Sequence, residues 1–231
     1  MAAAVDSNVV GYTTKPLAAN QKAISGAQFV EVGEEGLDLA SIKLENVSLA
    51  GGASIQWWNG AAYETAVWVD EVDDIPNNIG WGDAGSWEAV AHTFAPGEGF
   101  WIVTPPGASN AKVTQAGEVA LSELVTYDAD LAANKKFMMI NPLPTDLSLA
   151  DISLVGVSTA GGASIQWWNG FRYEIAAWVD EVDDIQNNIG WGDAGTWEAV
   201  SHTFSPTEGF WIVVPPNAPA PQVKIANNVM L

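Results

Sequence analysis

Apolar and polar residues alternate in short runs along most of this chain, and Gly, Pro or Asn-Gly cuts each run off. Residues 8–14 (NVVGYTT), 28–31 (QFVE), 55–58 (IQWW), 63–69 (YETAVWV), 100–103 (FWIV) and 112–114 (KVT) are rich in β-branched and aromatic residues. Bounded by turn formers, each predicts a strand. Further strands are predicted at 123–127, 137–140, 210–214 and 222–225. Residues 37–42 and 147–152 predict one helical turn each, with Asp146 as N-cap of the second. Little other helix is expected. Asn59-Gly60 and Asn169-Gly170 sit between apolar runs and predict type I′ hairpin turns. Trp57 and Trp58 are neighbours, so on a strand they point to opposite faces, one to the core and one outward.

The pattern occurs twice. Residues 51–104 reappear at 161–214 with 10 differences in 54 positions, and all twelve tryptophans fall in these two blocks. A repeat of this length sets the organisation before any motif does. The expected fold is all-β: two tandem antiparallel β-sandwich, jelly-roll-like domains from an internal duplication, at residues 1–119 and 120–231. Before the repeated block the offset grows to 114, so the first unit carries about four extra residues, expected at 32–36.

Composition narrows the partners. The net charge is −20 with only eight Lys and Arg together, which excludes phosphate-backbone recognition and makes nucleic acid no partner. No run reaches the roughly 18 apolar residues of a membrane span. There is no cysteine, hence no disulfide, thiol chemistry or Cys-type zinc site. His92 and His202 are the two histidines, too few for a metallohydrolase, and read as strand histidines bonded to backbone or solvent. No enzyme is expected.

Candidate chemistry lies in the acidic loops. Asp70, Asp73, Asp74 and Asp83, repeated as Asp180, Asp183, Asp184 and Asp193, offer hard oxygen ligands near glycines and are candidate calcium ligands. Their spacing is not that of an EF-hand, and the competing reading is a solvated loop whose Asp and Asn residues make local turns. No other cofactor is expected. Trp58, Trp81, Trp168 and Trp191 are candidate glycan-stacking or interface aromatics, set against the use of such rings as core filler.

The opening SNVVGY (residues 7–12), the WWNG hairpin and the late PGEGFW (residues 96–101) resemble a widespread set of uncharacterised secreted bacterial β-domain proteins. In those, a VVGY strand begins the mature chain and a PGxGFW strand comes near the domain's end. The resemblance covers the first unit. The second departs from it, with LVTY at 124–127 and PTEG at 206–209. It implies an extracellular or cell-surface protein.

Two β-units with a leading strand suggest polymerisation. A strand donated by the N-terminal arm, through Val9, Val10 and Tyr12, completes a neighbour's sheet edge. The first expectation is therefore a homopolymeric extracellular fibre or pilus-like filament. The alternative is a tandem carbohydrate-binding module of a cell-surface or biofilm protein, with glycans as partners.

Overall fold

A computed structural model describes residues 10–31, 36–47, 52–69, 80–118, 126–143, 145–157, 162–169, 171–179 and 190–226. The first half contributes β1 (Val10–Pro16), β2 (Lys22–Gly26), β3 (Leu37–Asp38), β4 (Lys43–Glu45), β5 (Ser54–Trp58), β6 (Tyr63–Val69), β7 (Gly80–Gly82), β8 (Thr93–Phe94), β9 (Gly99–Val103) and β10 (Lys112–Glu118). The second contributes β11 (Thr126–Asp130), β12 (Lys136–Ile140), β13 (Leu147–Ser148), β14 (Ile152–Val155), β15 (Ser164–Trp168), β16 (Tyr173–Val179), β17 (Gly190–Gly192), β18 (Thr203–Phe204), β19 (Gly209–Val213) and β20 (Gln222–Ala226). The protein is all-β, and among the described residues every strand pair is antiparallel.

Each half holds a five-stranded sheet, a three-stranded sheet and a two-stranded ribbon, in matching order. The first has β2-β9-β5-β6-β7, β1-β10-β4 and β3-β8; the second has β12-β19-β15-β16-β17, β11-β20-β14 and β13-β18. Period-two alternation explains the packing. On β5, Ile55 and Trp57 are buried while Gln56 and Trp58 face away. Leu44 of β4 and Val113 of β10 meet Ile55, Trp57 and Ile102 in one apolar cluster, so the two larger sheets face each other across a sandwich core. The division expected at 119/120 falls outside the described residues, between the end of β10 and the start of β11.

Several local expectations need correction. Residues 28–31 do not form the second strand: Lys22–Gly26 does, pairing with β9, and Val30 makes only an isolated bridge to Glu118. The ladder with β9 runs from Lys22↔Val103 to Gly26↔Gly99, so residues 28–31 lie beyond its end. The helical turns are three-residue 3-10 turns, Leu39–Ser41 and Leu149–Asp151, and the second is capped by Ser148, whose Oγ accepts from Ala150 N, not by Asp146. The Asn-Gly hairpins are not two-residue turns. Four residues separate β5 from β6, and Asn59 Oδ1 accepts from the amides of Ala61 and Ala62. An Asn side chain bonding its own following backbone competes with the I′ geometry.

The leading strand is also not free. All seven residues of β1 pair with β10 of the same chain, from Val10↔Glu118 to Pro16↔Lys112. Val10 and Tyr12 are therefore committed within their own sheet, and Val9 lies outside the described residues. Donation of this segment requires breaking a seven-residue ladder, which makes it an exchange, not an addition to an empty edge.

The halves meet through their five-stranded sheets by a nearly two-fold arrangement. Ile24 of β2 sits on Gly209 of β19, and Met138 of β12, the residue equivalent to Ile24, sits on Gly99 of β9. Gly26 lies against its own equivalent, Ile140. The Ile140 amide donates to Gly97 O at 3.0 Å, and Lys135 Nζ reaches Gly60 O at 2.7 Å. Like strand meeting like strand is the geometry of an isologous contact, here within one chain.

Candidate functional site: twin clefts between the halves

The outward row of the five-stranded sheet carries an unusual surface. Lys22 Nζ donates to Gln56 Oε1 at 2.9 Å and lies 4.7 Å from the Trp101 ring centroid and 5.1 Å from that of Tyr63. Trp101 Nε1 donates to the Tyr63 hydroxyl at 3.3 Å. Lys136, Gln166, Trp211 and Tyr173 repeat the cation–aromatic arrangement. Desolvation holds both lysines below the usual ammonium range. Beyond each cluster, Trp58 and Trp168 stand edge-on to Tyr63 and Tyr173, with centroids 5.1 and 5.3 Å apart.

Among the described residues, the junction between the halves is flanked by a pair of clefts with equivalent lining positions, such as Trp58 and Glu98 in one and Trp168 and Glu208 in the other. One, of about 510 Å³, is lined by Trp57, Trp58, His92 and Glu98 of the first half and by Leu131 and Phe137 of the second, among others. The other, of about 490 Å³, is lined by Lys15, Lys22, Ile24 and Trp101 of the first half and by Trp168, Tyr173 and Glu208 of the second. Both are within the size range of small-ligand sites. Trp168 is 49% exposed, so its indole face is open to a ligand.

The histidines flank these clefts and are not strand residues bonded to backbone. His92 stacks on Trp57 and His202 on Trp167, each at 4.6 Å between centroids. His202 Nε2 lies 3.1 Å from Glu208 Oε1, while His92 Nε2 is 3.7 Å from Glu98 Oε1 and finds no hydrogen-bond partner among the described residues. Sequence reasoning missed the role. The signal was present in the paired recurrence of His and Glu six residues apart, at 92/98 and 202/208.

The other candidates resolve differently. Trp58 and Trp168 face outward, while their neighbours Trp57 and Trp167 are buried. Trp81 and Trp191 do not: they are 1% and 3% exposed, and each Nε1 donates to a backbone carbonyl, Ile42 O at 2.7 Å and Ile152 O at 2.6 Å. They are core, because the register pairs Trp81 with Trp68 and Trp191 with Trp178 across neighbouring strands, on the sheet face turned to the interior. Asp70, Asp73, Asp74, Asp180, Asp183 and Asp184 lie outside the described residues. Asp83 and Asp193 are exposed turn formers. Asp83 Oδ1 accepts from the amides of Gly85 and Ser86 and from the Ser86 hydroxyl, and Asp193 does the same with Gly195 and Thr196. The Ser86 and Thr196 amides, then those of Gly85 and Gly195, hold these carboxyls below the ordinary carboxylate range. No group of three or more metal-ligating side chains occurs among the described residues.

The same turn holds Trp87 and Trp197 at φ of 59° and 58°, with side chains 47% and 48% exposed. The left-handed region costs an L-residue about 1–2 kcal/mol, and an exposed indole recovers little of it. Trp87→Gly is expected to raise the urea midpoint without changing the denaturant slope.

No protein-family model and no curated protein matches this sequence. Among the described residues, no helix is long and apolar enough to cross a membrane. Among solved structures, the chain is similar to the major capsid protein P2 from bacteriophage PM2 over 94% of this chain and 98% of that one, at 10% identity and a TM-score of 0.16, a likeness too slight to carry an argument about function.

Proposed function

We propose that this is an extracellular saccharide-binding protein whose two inter-half clefts each hold a sugar. The observation that carries the reading is the second cleft, where three aromatic side chains, Trp101, Trp168 and Tyr173, surround two lysines and a carboxylate. A pyranose presents apolar C–H faces to an indole and hydroxyls at its rim. Sites for such ligands need rigid flat rings beside a few fixed polar groups, and this cleft supplies both. The Trp101–Tyr63 bond, with Lys22 held by Gln56 over the Trp101 ring, fixes that ring in advance, which lowers the ordering cost of binding.

Trp168→Ala is expected to weaken oligosaccharide binding by about tenfold or more with the melting temperature unchanged, since the side chain is half exposed. Glycan-array screening followed by calorimetry on the hit measures it. Full retention of binding by the folded variant would contradict the reading.

Assembly remains a second reading, favoured by one observation. β1 is an outer strand of its sheet and carries Tyr12 74% exposed. A charged edge residue discourages strand pairing between molecules. If chains associate along β1, Tyr12→Lys abolishes filaments seen by negative-stain microscopy. If the purified protein forms none, the assembly reading falls.

A further inference from the structure

We propose that the two clefts differ in ligand, and that the one containing Lys15 and Lys22 takes a carboxylated sugar, a hexuronic acid unit of an anionic polysaccharide. This rests on the saccharide reading and names the substrate class of one cleft. The contrast begins with register. Lys15 on β1 pairs with Val113, and Ala129 on β11 pairs with Val223, so lysine and alanine occupy the same place in the two halves. Each lines a cleft. One cleft thus has a cation where the other has a methyl group.

The surroundings sharpen the difference. Lysines are scarce in a chain of net charge −20, yet two of its eight basic residues line this cleft. Lys15 Nζ donates to Ile24 O at 2.8 Å and Lys22 Nζ to Gln56 Oε1, so each ammonium is held by one bond and keeps further donors for a ligand. Desolvation, partly offset by Glu208, shifts the Lys15 ammonium downward, and a bound carboxylate would relieve that burial penalty. Glu208 does not cancel the pair. Its Oε1 faces His202 at 3.1 Å and its Oε2 accepts from Ser205 N at 3.0 Å. The opposite cleft is lined by Glu98 and Asp130 and by no lysine, although Lys135 reaches the Gly60 carbonyl at its rim. The chain's remote acids are screened beyond a Debye length of about 8 Å at physiological salt, so the local lysines decide what enters.

The test uses the full chain, an oligouronate and its carboxyl-reduced, neutral form. Calorimetry is expected to give about tenfold or more preference for the oligouronate, the scale of a charge-assisted hydrogen bond. Lys15→Met should bring that ratio close to one, and Lys15→Arg should preserve it. Ala129→Lys should add a second oligouronate site. Equal binding of both forms by the natural chain would overturn the carboxylate assignment and leave the saccharide reading standing. Binding of neither, across a glycan array as well, would overturn both. Far-UV circular dichroism on each variant separates misfolding from loss of the site.

Discussion

Replacing Trp81 by alanine is expected to lower stability by about 3–5 kcal/mol, and Trp191→Ala should do the same in the second half. Trp81 is among the largest fully buried side chains, packed edge-on against Trp68 with ring centroids 5.1 Å apart and interplanar angle 71°. Its removal leaves a void that the surrounding strands cannot close. It also orphans the Ile42 carbonyl, which receives the indole N–H at 2.7 Å. Trp81→Phe separates these contributions, because it keeps most of the packing and loses only the hydrogen bond, about 1–3 kcal/mol for an unsatisfied buried acceptor. Urea denaturation measures both. Comparable midpoints for Trp81→Ala and Trp58→Ala would contradict the assignment of one tryptophan to the core and the other to the surface.

The second large effect is expected at the seam between the halves. A Cβ built on Gly99 meets Met138 Cγ at 2.8 Å and the Met138 backbone carbonyl carbon at 3.0 Å; on Gly209 it overlaps the Ile24 side chain. Overpacking of this kind costs about 1–3 kcal/mol. Here the strain falls on the contact that sets the angle between the sheets. Gly209→Ala should therefore lower the melting temperature and weaken saccharide binding, though residue 209 offers a ligand no side chain. Ile24→Ala made with it removes the obstructing methyls, so the double variant should recover stability relative to Gly209→Ala alone. Strict additivity in that double-mutant cycle would show that the two residues do not touch.

Where local periodicity decided a feature, the sequence was a good guide. The opposite orientations of Trp57 and Trp58, the strands around residues 63–69 and 100–103, and the repetition of strand order all follow from alternation and turn chemistry. What failed was decided by tertiary partners. Trp81 is flanked by glycines in Gly80-Trp81-Gly82, a context that looks like an exposed loop, and only the sheet above it makes it core. Asn59 makes a side-chain turn that the dipeptide Asn-Gly alone does not reveal. The clefts were out of reach altogether. They join Lys15 and Lys22 to Trp168 and Glu208 across more than half the chain, and no window of sequence contains that pairing. Asn141 illustrates the same limit: it is fully buried, and its side-chain amide donates to Thr145 O and to Phe204 O, the latter 63 residues away in sequence.

A sugar bound between the halves lies against the outward-facing indoles. Twelve tryptophans provide twelve indole N–H reporters, and titration of the ¹⁵N-labelled chain with the array-selected oligosaccharide reads them together. The account predicts shifts for Trp58, Trp101 and Trp168, with Trp81 and Trp191 unmoved. Shifts confined to Trp87 and Trp197, or no indole shift at saturating sugar, would contradict it.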